Sequence, residues 1–314
     1  MCIRDSVSFV KPIVPEESYW ERFLTNGDLD FSYEVPDLAR FRVNCFMQEF
    51  GFGSVFRVIP SKLMTVSQLG LPPAVSRICS MTRGLVLVTG PTGSGKSTTL
   101  SAIINQINMD RKLHIITIED PVEFVHPPKM SVITQREIGP HARNFGDALK
   151  AAVREDPDLV LVGEMRALTT IGLALNAAAS GLLVFGTLHT NSAAKTIDRI
   201  INVFPTEEQE AVRSILAETL QAVLAQQLLK KVGGGRAAAV EIMFGGGALP
   251  NLIREGKTHQ LSGFILQGKK VGMINMDAAL LNLLQNGIIT EEAAYEKAID
   301  KAEFRKHLTK PVEE

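Results

Sequence analysis

A phosphate-binding loop is the segment of this chain with the clearest chemistry. Residues 90–98 match the pattern G-x-x-x-x-G-K-[ST] at every fixed position. An apolar, β-branched run at 84–89 precedes the loop and a helical pattern at 98–109 follows it. Glycines let such a loop turn tightly, so that backbone N–H groups and the positive end of the helix face phosphate oxygens. We therefore predict that a nucleoside triphosphate is bound by Gly90, Pro91, Thr92, Gly93, Ser94, Gly95, Lys96, Ser97 and Thr98.

Two side chains of the loop have individual roles. Lys96 would reach the β- and γ-phosphates, and the Ser97 hydroxyl would ligate Mg²⁺. A glycine-rich turn that contains Lys-Ser by chance is the alternative interpretation, and the flanking strand and helix make it a poor one. ATP and Mg²⁺ are therefore the expected cofactors.

Further chemically active side chains follow predicted apolar strands. Glu119 and Glu164 each end such a strand, and His189 follows a third. The carboxyl ends of parallel strands face a ligand crevice, and a carboxylate after an apolar strand is typical of a Walker B element that holds Mg²⁺. Taken alone, Glu119 could be a surface-loop carboxylate, and His189 would more often be a structural histidine. Their shared position at strand ends favours an active site.

The pattern of strands divides the chain into two parts. Short strands with little helix between them are predicted in the first part, at 29–35, 39–46 and 53–59. From residue 83 onward, strands alternate with helices, which predicts an α/β fold with a parallel sheet wrapped by helices. These strands are predicted at 85–89, 113–118, 159–162, 183–187 and 237–243. After Pro250 the pattern is helical, with Thr290 as an expected N-cap.

Composition limits the classes of function. A length of 314 residues is enough for about two domains. Lys plus Arg (33) nearly balance Asp plus Glu (34), so no overall field favours nucleic acid or an anionic membrane. Three cysteines without metal-type spacing suit a reducing cytosol, and no apolar stretch approaches the ~20 residues of a membrane span. We expect a cytoplasmic protein without a nucleic-acid partner or direct membrane insertion.

Together these segments resemble the secretion-type traffic ATPases, and above all the type IV pilus retraction ATPases, the twitching-motility or PilT-like group. The resemblance runs from about Phe31 to the C-terminus. The family's Walker A, Asp box, Walker B and His box motifs fall in order on residues 90–98, 116–124, 155–166 and 183–190. The resemblance implies a RecA-like P-loop ATPase domain with a parallel-rich central sheet, preceded by a small PAS-like α+β domain and ending in a helical region.

The resemblance also suggests domain boundaries. We expect a partial PAS-like domain at 1–60, a linker at 61–66 and the ATPase domain with its helical C-terminal portion at 67–314. Residues 1–6 have the look of a cloning or assembly artefact, after which the chain enters the small domain midway.

Site roles follow from the same resemblance. Glu119 corresponds to the Asp-box glutamate that polarises the attacking water, Glu164 to the Walker B acid near Mg²⁺, and His189 to the His-box residue that senses the γ-phosphate. Arg42 and Arg57 match small-domain arginines that reach a nucleotide held by an adjacent subunit. Without the resemblance, both arginines would be interpreted as ordinary cations on strand faces.

The sequence departs from the group's usual pattern at several places. The departures put ATP turnover and the coupling between subunits in doubt, but the phosphate loop and both glutamates are unchanged. The departures are Leu182 in place of a histidine, Ala167 and Thr169 in place of two acids, Phe50 in place of a third arginine, and the C-terminal signature at 248–254.

The resemblance implies a hexameric, ATP-hydrolysing motor that powers type IV pilus retraction and twitching motility. It would work at the cytoplasmic membrane through the pilus machinery, docked on an inner-membrane platform protein, with a related accessory ATPase as a further candidate partner. The absence of a four-cysteine zinc insertion favours retraction over extension. The alternatives are a type IV or type II secretion transport ATPase and a nucleotide-binding accessory subunit of a pilus motor. A small-molecule kinase is a weaker alternative, because nothing between Lys112 and Asp158 reads as an acceptor-binding lid.

Overall fold

The computed structural model describes residues 3–36, 38–59 and 62–308. Met1, Cys2 and residues 309–314 therefore lie outside the described residues, as does Ser61 of the expected linker. The expected domain boundaries remain predictions.

The N-terminal part consists of two helices and a small sheet. Helices α1 (Ile3–Val10) and α2 (Glu17–Asn26) precede the strands β1 (Asp28–Val35), β2 (Ala39–Gln48) and β3 (Gly51–Ile59). The strands form an antiparallel sheet in the order β1-β2-β3. Gly27 ends α2 in the left-handed conformation (φ 79°), which glycine adopts without steric cost and which lets the chain turn into β1.

The two faces of this small sheet differ in chemistry. One face carries Phe31, Val43 and Phe52, which pack with Trp20 and Phe23 of α2 in an apolar cluster. The ring centroids of Phe23 and Phe52 are 5.3 Å apart in an edge-to-face arrangement, the geometry that aromatic pairs prefer. On the other face, Ser32, Arg42 and Arg57 stand opposite one another across the three strands, and Arg40 stands two residues before Arg42. The small sheet thus has one apolar face and one polar face, on which these arginines lie beside Asp30 and Glu34.

A seven-stranded sheet forms the second part, in the order β10-β9-β4-β8-β7-β5-β6. All neighbouring pairs are parallel except β9 and β10, which are antiparallel. The strands are β4 (Gly84–Thr89), β5 (His114–Glu119), β6 (Val132–Glu137), β7 (Leu159–Val162), β8 (Leu183–Leu188), β9 (Leu220–Lys230) and β10 (Arg236–Phe244). Six helices share the core of this sheet: α3 (Val75–Cys79), α4 (Lys96–Asp110), α5 (Phe145–Ala152), α6 (Leu168–Ala179), α7 (Ala193–Asn202) and α8 (Gln209–Thr219).

The central strands β4, β7 and β8 are buried at every residue. Continuous apolar runs are the sequence signature of parallel strands covered on both faces, which explains why the sequence alone predicted them. Their burial builds the main core and fixes the edge at which the strands end.

Two strands were missed by the sequence analysis. The segment 220–230 was expected to be helical, yet it is β9, paired with β4 on one side and β10 on the other. Its leucines, alanines and glutamines are strong helix formers, and pairing on both edges overrides that local preference. β6 was missed because its second half is polar (Thr-Gln-Arg-Glu) and it lies at the edge of the sheet. The sheet is therefore parallel-rich but mixed, and the expected fold class is confirmed.

The C-terminal region is helical, as predicted. It comprises α9 (Leu249–Arg254), α10 (Leu261–Gln267), α11 (Met276–Gln285), α12 (Glu291–Lys297) and α13 (Lys301–Arg305). The side-chain oxygen of Thr290 accepts the Ala293 N–H at 3.3 Å, so the expected N-cap of α12 is present. No helix in the described part of the chain combines the length and apolar character needed to cross a membrane.

A buried carboxylate ties this region to the sheet. Glu241 of β10 accepts the N–H of Ala193 at 2.7 Å and the N–H of Met276 at 3.3 Å. These are the first residues of α7 and α11, so one carboxylate lies at the positive ends of two helices.

Candidate active site

The phosphate loop spans the gap between β4, which ends at Thr89, and α4, which begins at Lys96. Gly90, Gly93 and Gly95 all have positive φ (150°, 78° and 86°), where other residues are strained. At Gly90 an added Cβ would also lie 2.3 Å from the Gln226 carbonyl oxygen. The glycines are thus required by the path of the backbone.

The loop fits a phosphate group. No side chain of a described residue caps the start of α4, so its first N–H groups can donate to phosphate oxygens. The Ser94 hydroxyl is buried without a hydrogen-bond partner among the described residues. Lys96 Nζ donates to the carbonyl oxygens of Gly90 at 2.8 Å and Pro91 at 3.2 Å, which keeps the cation against the loop.

Charges around Lys96 link the loop to the strand ends. Burial lowers the pKa of Lys96, while the carboxylates of Glu164 and Glu123 act in the opposite direction. The predicted phosphate-binding cation and the predicted Walker B acid therefore share one electrostatic environment.

Gln226 of β9 supports the loop from beneath, and sequence analysis did not find it. Its Nε2 donates to the Ser94 carbonyl oxygen at 2.7 Å, and its Oε1 accepts the Thr99 hydroxyl at 2.7 Å. Both Gln226 and Thr99 are buried. The missed strand thus supplies a contact that shapes the predicted nucleotide site.

Glu119 is the last residue of β5, and its surroundings shift its pKa. Burial raises the pKa of Glu119 to about 7, outweighing the hydrogen bonds that it accepts from Thr117 at 2.6 Å and Gln135 at 3.3 Å. A carboxylate poised near neutral pH suits a general base. Glu119 lines a cavity of about 40 Å³, together with Ser97, His126 and Thr187. That volume exceeds the roughly 10–15 Å³ that one water requires.

Gln135 of β6 holds the segment that follows Glu119. Its Nε2 donates to the Phe124 carbonyl oxygen at 2.9 Å as well as to Glu119, and its Oε1 accepts the His126 N–H at 2.8 Å. The Nδ1 atom of His126 is buried without a partner among the described residues, and burial lowers the pKa of His126 to about 4. His126 is therefore a neutral side chain at physiological pH.

Glu164 and His189 are in direct contact, as their positions in the sequence suggested. The His189 ring donates from Nε2 to Glu164 Oε1 at 2.6 Å, and Arg166 Nε donates to the same oxygen. Because β5, β7 and β8 are neighbours, Glu119 lies at the same edge of the sheet. Gly163 allows the close approach, since a Cβ there would lie 3.2 Å from the Cα of Glu119.

Arg42 and Arg57 face each other on the polar face of the small sheet. Arg42 Nε lies 3.6 Å from an Asp30 carboxylate oxygen. Burial raises the pKa of Asp120, which follows Glu119, and Arg42 of the same chain lowers it. Neither arginine forms a hydrogen bond to the phosphate loop among the contacts of the described residues. Their expected action on a neighbouring subunit remains a prediction.

Comparison with known proteins places this site in a family. The model of the family described as "Type II/IV secretion system protein" matches residues 19–255. The chain belongs to this family.

Two relatives and one solved structure are closely similar to the chain. The type IV pilus retraction ATPase PilT of Pseudomonas aeruginosa is 55% identical over 279 residues, covering 89% of this chain and 80% of that protein. The twitching motility protein of Neisseria gonorrhoeae is 53% identical over 274 residues, covering 87% and 73%. A crystal structure of the pilus retraction motor PilT with bound ADP has a TM-score of 0.89 and 43% identity, covering 96% of this chain and 86% of that chain.

The expected resemblance to the PilT-like group of secretion ATPases is therefore confirmed. In this family the departure at Leu182 can be located on the structure. Leu182 immediately precedes β8, whereas His189 immediately follows it, so the two positions lie at opposite ends of that strand. The contact between Glu164 and His189 does not depend on Leu182.

Proposed function

We propose that the chain is an ATP-hydrolysing motor subunit that powers type IV pilus retraction and twitching motility, working as a homo-hexamer. One observation carries the proposal. A phosphate loop with three positive-φ glycines adjoins a carboxylate whose pKa is near 7, in a chain 55% identical to a pilus retraction ATPase over 89% of its length.

The phosphate loop binds ATP through its backbone N–H groups and Lys96. The Ser97 hydroxyl and the Glu164 carboxylate would hold Mg²⁺, since both offer the oxygen ligands that this ion prefers. The bound ion would supply positive charge that neutralises the charge developing during hydrolysis. His189 holds Glu164 in place from the end of the next strand.

Glu119 accepts a proton from the water that attacks the γ-phosphorus. Its raised pKa brings proton affinity close to ambient pH, where a general base is most effective. Arg42 and Arg57 of an adjacent subunit add positive charge as the γ-phosphoryl group leaves, and such a contribution is worth roughly 10³-fold or more.

Repeated hydrolysis would move the small N-terminal part relative to the ATPase part. The motor acts at the cytoplasmic membrane through an inner-membrane platform protein of the pilus machinery. A related accessory ATPase is a second proposed partner.

Two measurements test this function together. Purified protein should hydrolyse ATP in a Mg²⁺-dependent manner, and Glu119→Gln should abolish most of that turnover. Expression of the chain in a bacterium that lacks its own retraction ATPase should restore twitching. Hydrolysis without restored twitching would argue for a secretion transport ATPase instead.

A nucleotide-binding accessory subunit is a second candidate, and one observation favours it. Leu182, Ala167 and Thr169 stand where the group usually has a histidine and two acids, and such losses would suit a subunit that turns over little ATP itself. An accessory subunit would bind ATP but show turnover that Glu119→Gln leaves unchanged. It would restore motility only together with another motor.

A further inference from the structure

A closed ring of hydrogen bonds joins the small N-terminal part to the ATPase part of the same chain. The Ser32 hydroxyl donates to the Glu137 carboxylate, at 3.3 Å from Oε1 and 3.4 Å from Oε2. Arg40 donates from Nη2 to Ser32 Oγ at 3.2 Å and from Nη1 to the Val122 carbonyl oxygen at 3.1 Å. The Val122 N–H donates to Glu137 Oε2 at 3.0 Å and closes the ring.

The ring holds the segment that follows Glu119, the proposed catalytic residue. Val122 lies three residues after Glu119, and both of its backbone polar groups are bound by these side chains. Glu137 stands directly opposite Glu119 in the pairing of β5 with β6, and the Ile138 N–H donates to the Glu119 carbonyl oxygen at 2.9 Å. A shift of Val122 would therefore change the direction of the backbone at Glu119, where the chain leaves β5.

Burial makes the ring costly to open. Glu137 is 5% exposed and the Arg40 side chain 17% exposed. A buried polar group that loses its hydrogen-bond partner is left with the full free-energy penalty of its desolvation. Arg40 also lies 3.8 Å from the exposed carboxylate of Glu34, which holds the guanidinium against the small sheet. The Arg40 side chain therefore moves with the small sheet.

Ser32 is the link between the two charged side chains. Its oxygen accepts from the Arg40 guanidinium while its hydroxyl donates to the Glu137 carboxylate. A cationic donor polarises the hydroxyl and strengthens its bond to the carboxylate. Removal of this one oxygen leaves Glu137 with the Val122 N–H and separates it from the small sheet.

We propose that Ser32, Arg40 and Glu137 form a latch through which each subunit's own small domain positions the Glu119 segment for hydrolysis. With the latch closed, the segment is fixed and Glu119 faces the nucleotide site. With the small domain displaced, the segment is released and hydrolysis slows. The latch acts within one chain, unlike the proposed contribution of Arg42 and Arg57 to a neighbouring subunit. It rests on the proposed role of Glu119, and its three members are positioning residues.

A double-mutant cycle tests the latch in the full chain. Ser32→Ala and Glu137→Gln should each lower kcat by about fivefold or more, while the Kd for ADP, read at the phosphate loop, stays within twofold. The double variant should lose little more than the worse single variant, because either change opens the same ring. Ser18→Ala is the matched control, since Ser18 is exposed and, among the described residues, its hydroxyl bonds to Glu16 alone. Multiplicative losses in the double variant would overturn the latch.

Hydrogen exchange supplies a readout that does not depend on turnover. Amides in the segment 120–126 should exchange at least several-fold faster in Ser32→Ala and in Arg40→Ala than in the wild type. Arg40→Lys, which keeps the charge but not the two-pronged geometry, should fall between them and the wild type. Unchanged exchange in this segment would overturn the latch, and so would faster exchange with unchanged kcat. If the wild type itself failed to hydrolyse ATP, the proposed function would fail while exchange still decided whether the latch exists.

Discussion

Glu164 and His189 share a hydrogen bond of 2.6 Å that joins the ends of the neighbouring strands β7 and β8. Arg166, two residues after Glu164, donates to the same carboxylate oxygen. The carboxylate is thus fixed by two donors, so a change in the position of His189 must move Glu164 as well. If His189 senses the γ-phosphate and Glu164 ligates Mg²⁺, as proposed, the two roles are linked through one oxygen atom.

Lys96→Ala should weaken ATP binding by at least tenfold without unfolding the protein. Lys96 makes its hydrogen bonds only to loop carbonyl oxygens among the described residues, so its loss removes a phosphate contact rather than core packing. Titration with a fluorescent ATP analogue measures the affinity, and circular dichroism checks the fold. Lys112→Ala, an exposed lysine just beyond the same helix, is the control. Wild-type affinity in folded Lys96→Ala protein would remove the phosphate-loop assignment.

Glu119→Gln should lower kcat by roughly 10²–10³-fold with little change in ATP affinity, because a general base acts mainly in the transition state. Steady-state kinetics and equilibrium binding separate the two effects. Asp110→Asn, at the far end of α4, is a control that should leave both unchanged. If kcat survived in Glu119→Gln, the role of base would pass to Glu164 or Glu123.

The pH profile of kcat/KM should fall on the acid side with a midpoint near 7. Burial raises the pKa of Glu119 to about 7, so the carboxyl group is protonated, and cannot accept a proton, below that value. Between pH 5 and 8 the rate should rise by about tenfold per unit well below the midpoint and level off above it. A profile that is flat from pH 5 to 8 would contradict the assignment of Glu119 as base.

The same pKa predicts the direction of a stability change. The folded state holds the Glu119 proton more tightly than the unfolded chain, so this group makes folding less favourable as pH rises from 4.5 towards 7. A shift from 4.5 to about 7 corresponds to at most about 3 kcal/mol. Glu119→Gln, which cannot ionise, should therefore gain stability over the wild type at pH 8 but not at pH 4. Urea unfolding at both pH values measures the difference.

Gln226→Ala should destabilise the protein by about 1–3 kcal/mol and weaken nucleotide binding, because it leaves the Ser94 carbonyl and the Thr99 hydroxyl without partners in a buried region. Gln227→Ala is a close control, since the neighbouring residue on the strand points to the opposite face and is only half-buried. Equal effects of the two substitutions would show that the contact beneath the loop has no special importance.

Subunit exchange tests the proposed arginine contribution. Arg57→Ala and Lys96→Ala chains should each be nearly inactive, whereas a mixture should regain part of the activity. At an interface where an intact phosphate loop meets an intact arginine, the arginine's contribution to the hydrolysis rate, roughly 10³-fold, is restored. Co-assembly must be shown independently, for example by pull-down of one tagged variant. Co-assembly without recovery would mean that Arg57 acts within its own chain.

The predictable and unpredictable parts of the site differ for physical reasons. The loop at 90–98 was recognisable because glycine spacing is imposed by local backbone geometry. Glu164 and His189 were recognisable because they follow strands so fully buried that their sequences are unbroken apolar runs. Signals of this kind are local, so a short stretch of sequence is enough to detect them.

Gln226, Gln135 and Glu137 carried no such signal. Gln226 lies in a segment with helix-forming composition, and its partners are 127 and 132 positions away in the chain. Gln135 and Glu137 lie on a polar edge strand whose role is set by the loop that it faces. Their importance arises from long-range pairing, which local residue preferences do not encode.

Glu241 has a mechanical consequence. Its two oxygens hold the first residues of α7 and α11, and a displacement of either helix by about one ångström would take a bond beyond hydrogen-bonding distance. α7 begins four residues after His189, and α11 opens the cluster of C-terminal helices that packs on β9 and β10. The positions of the two helices are therefore coupled through one carboxylate. We expect a displacement of the segment that follows His189 to be passed by this route to the C-terminal helices.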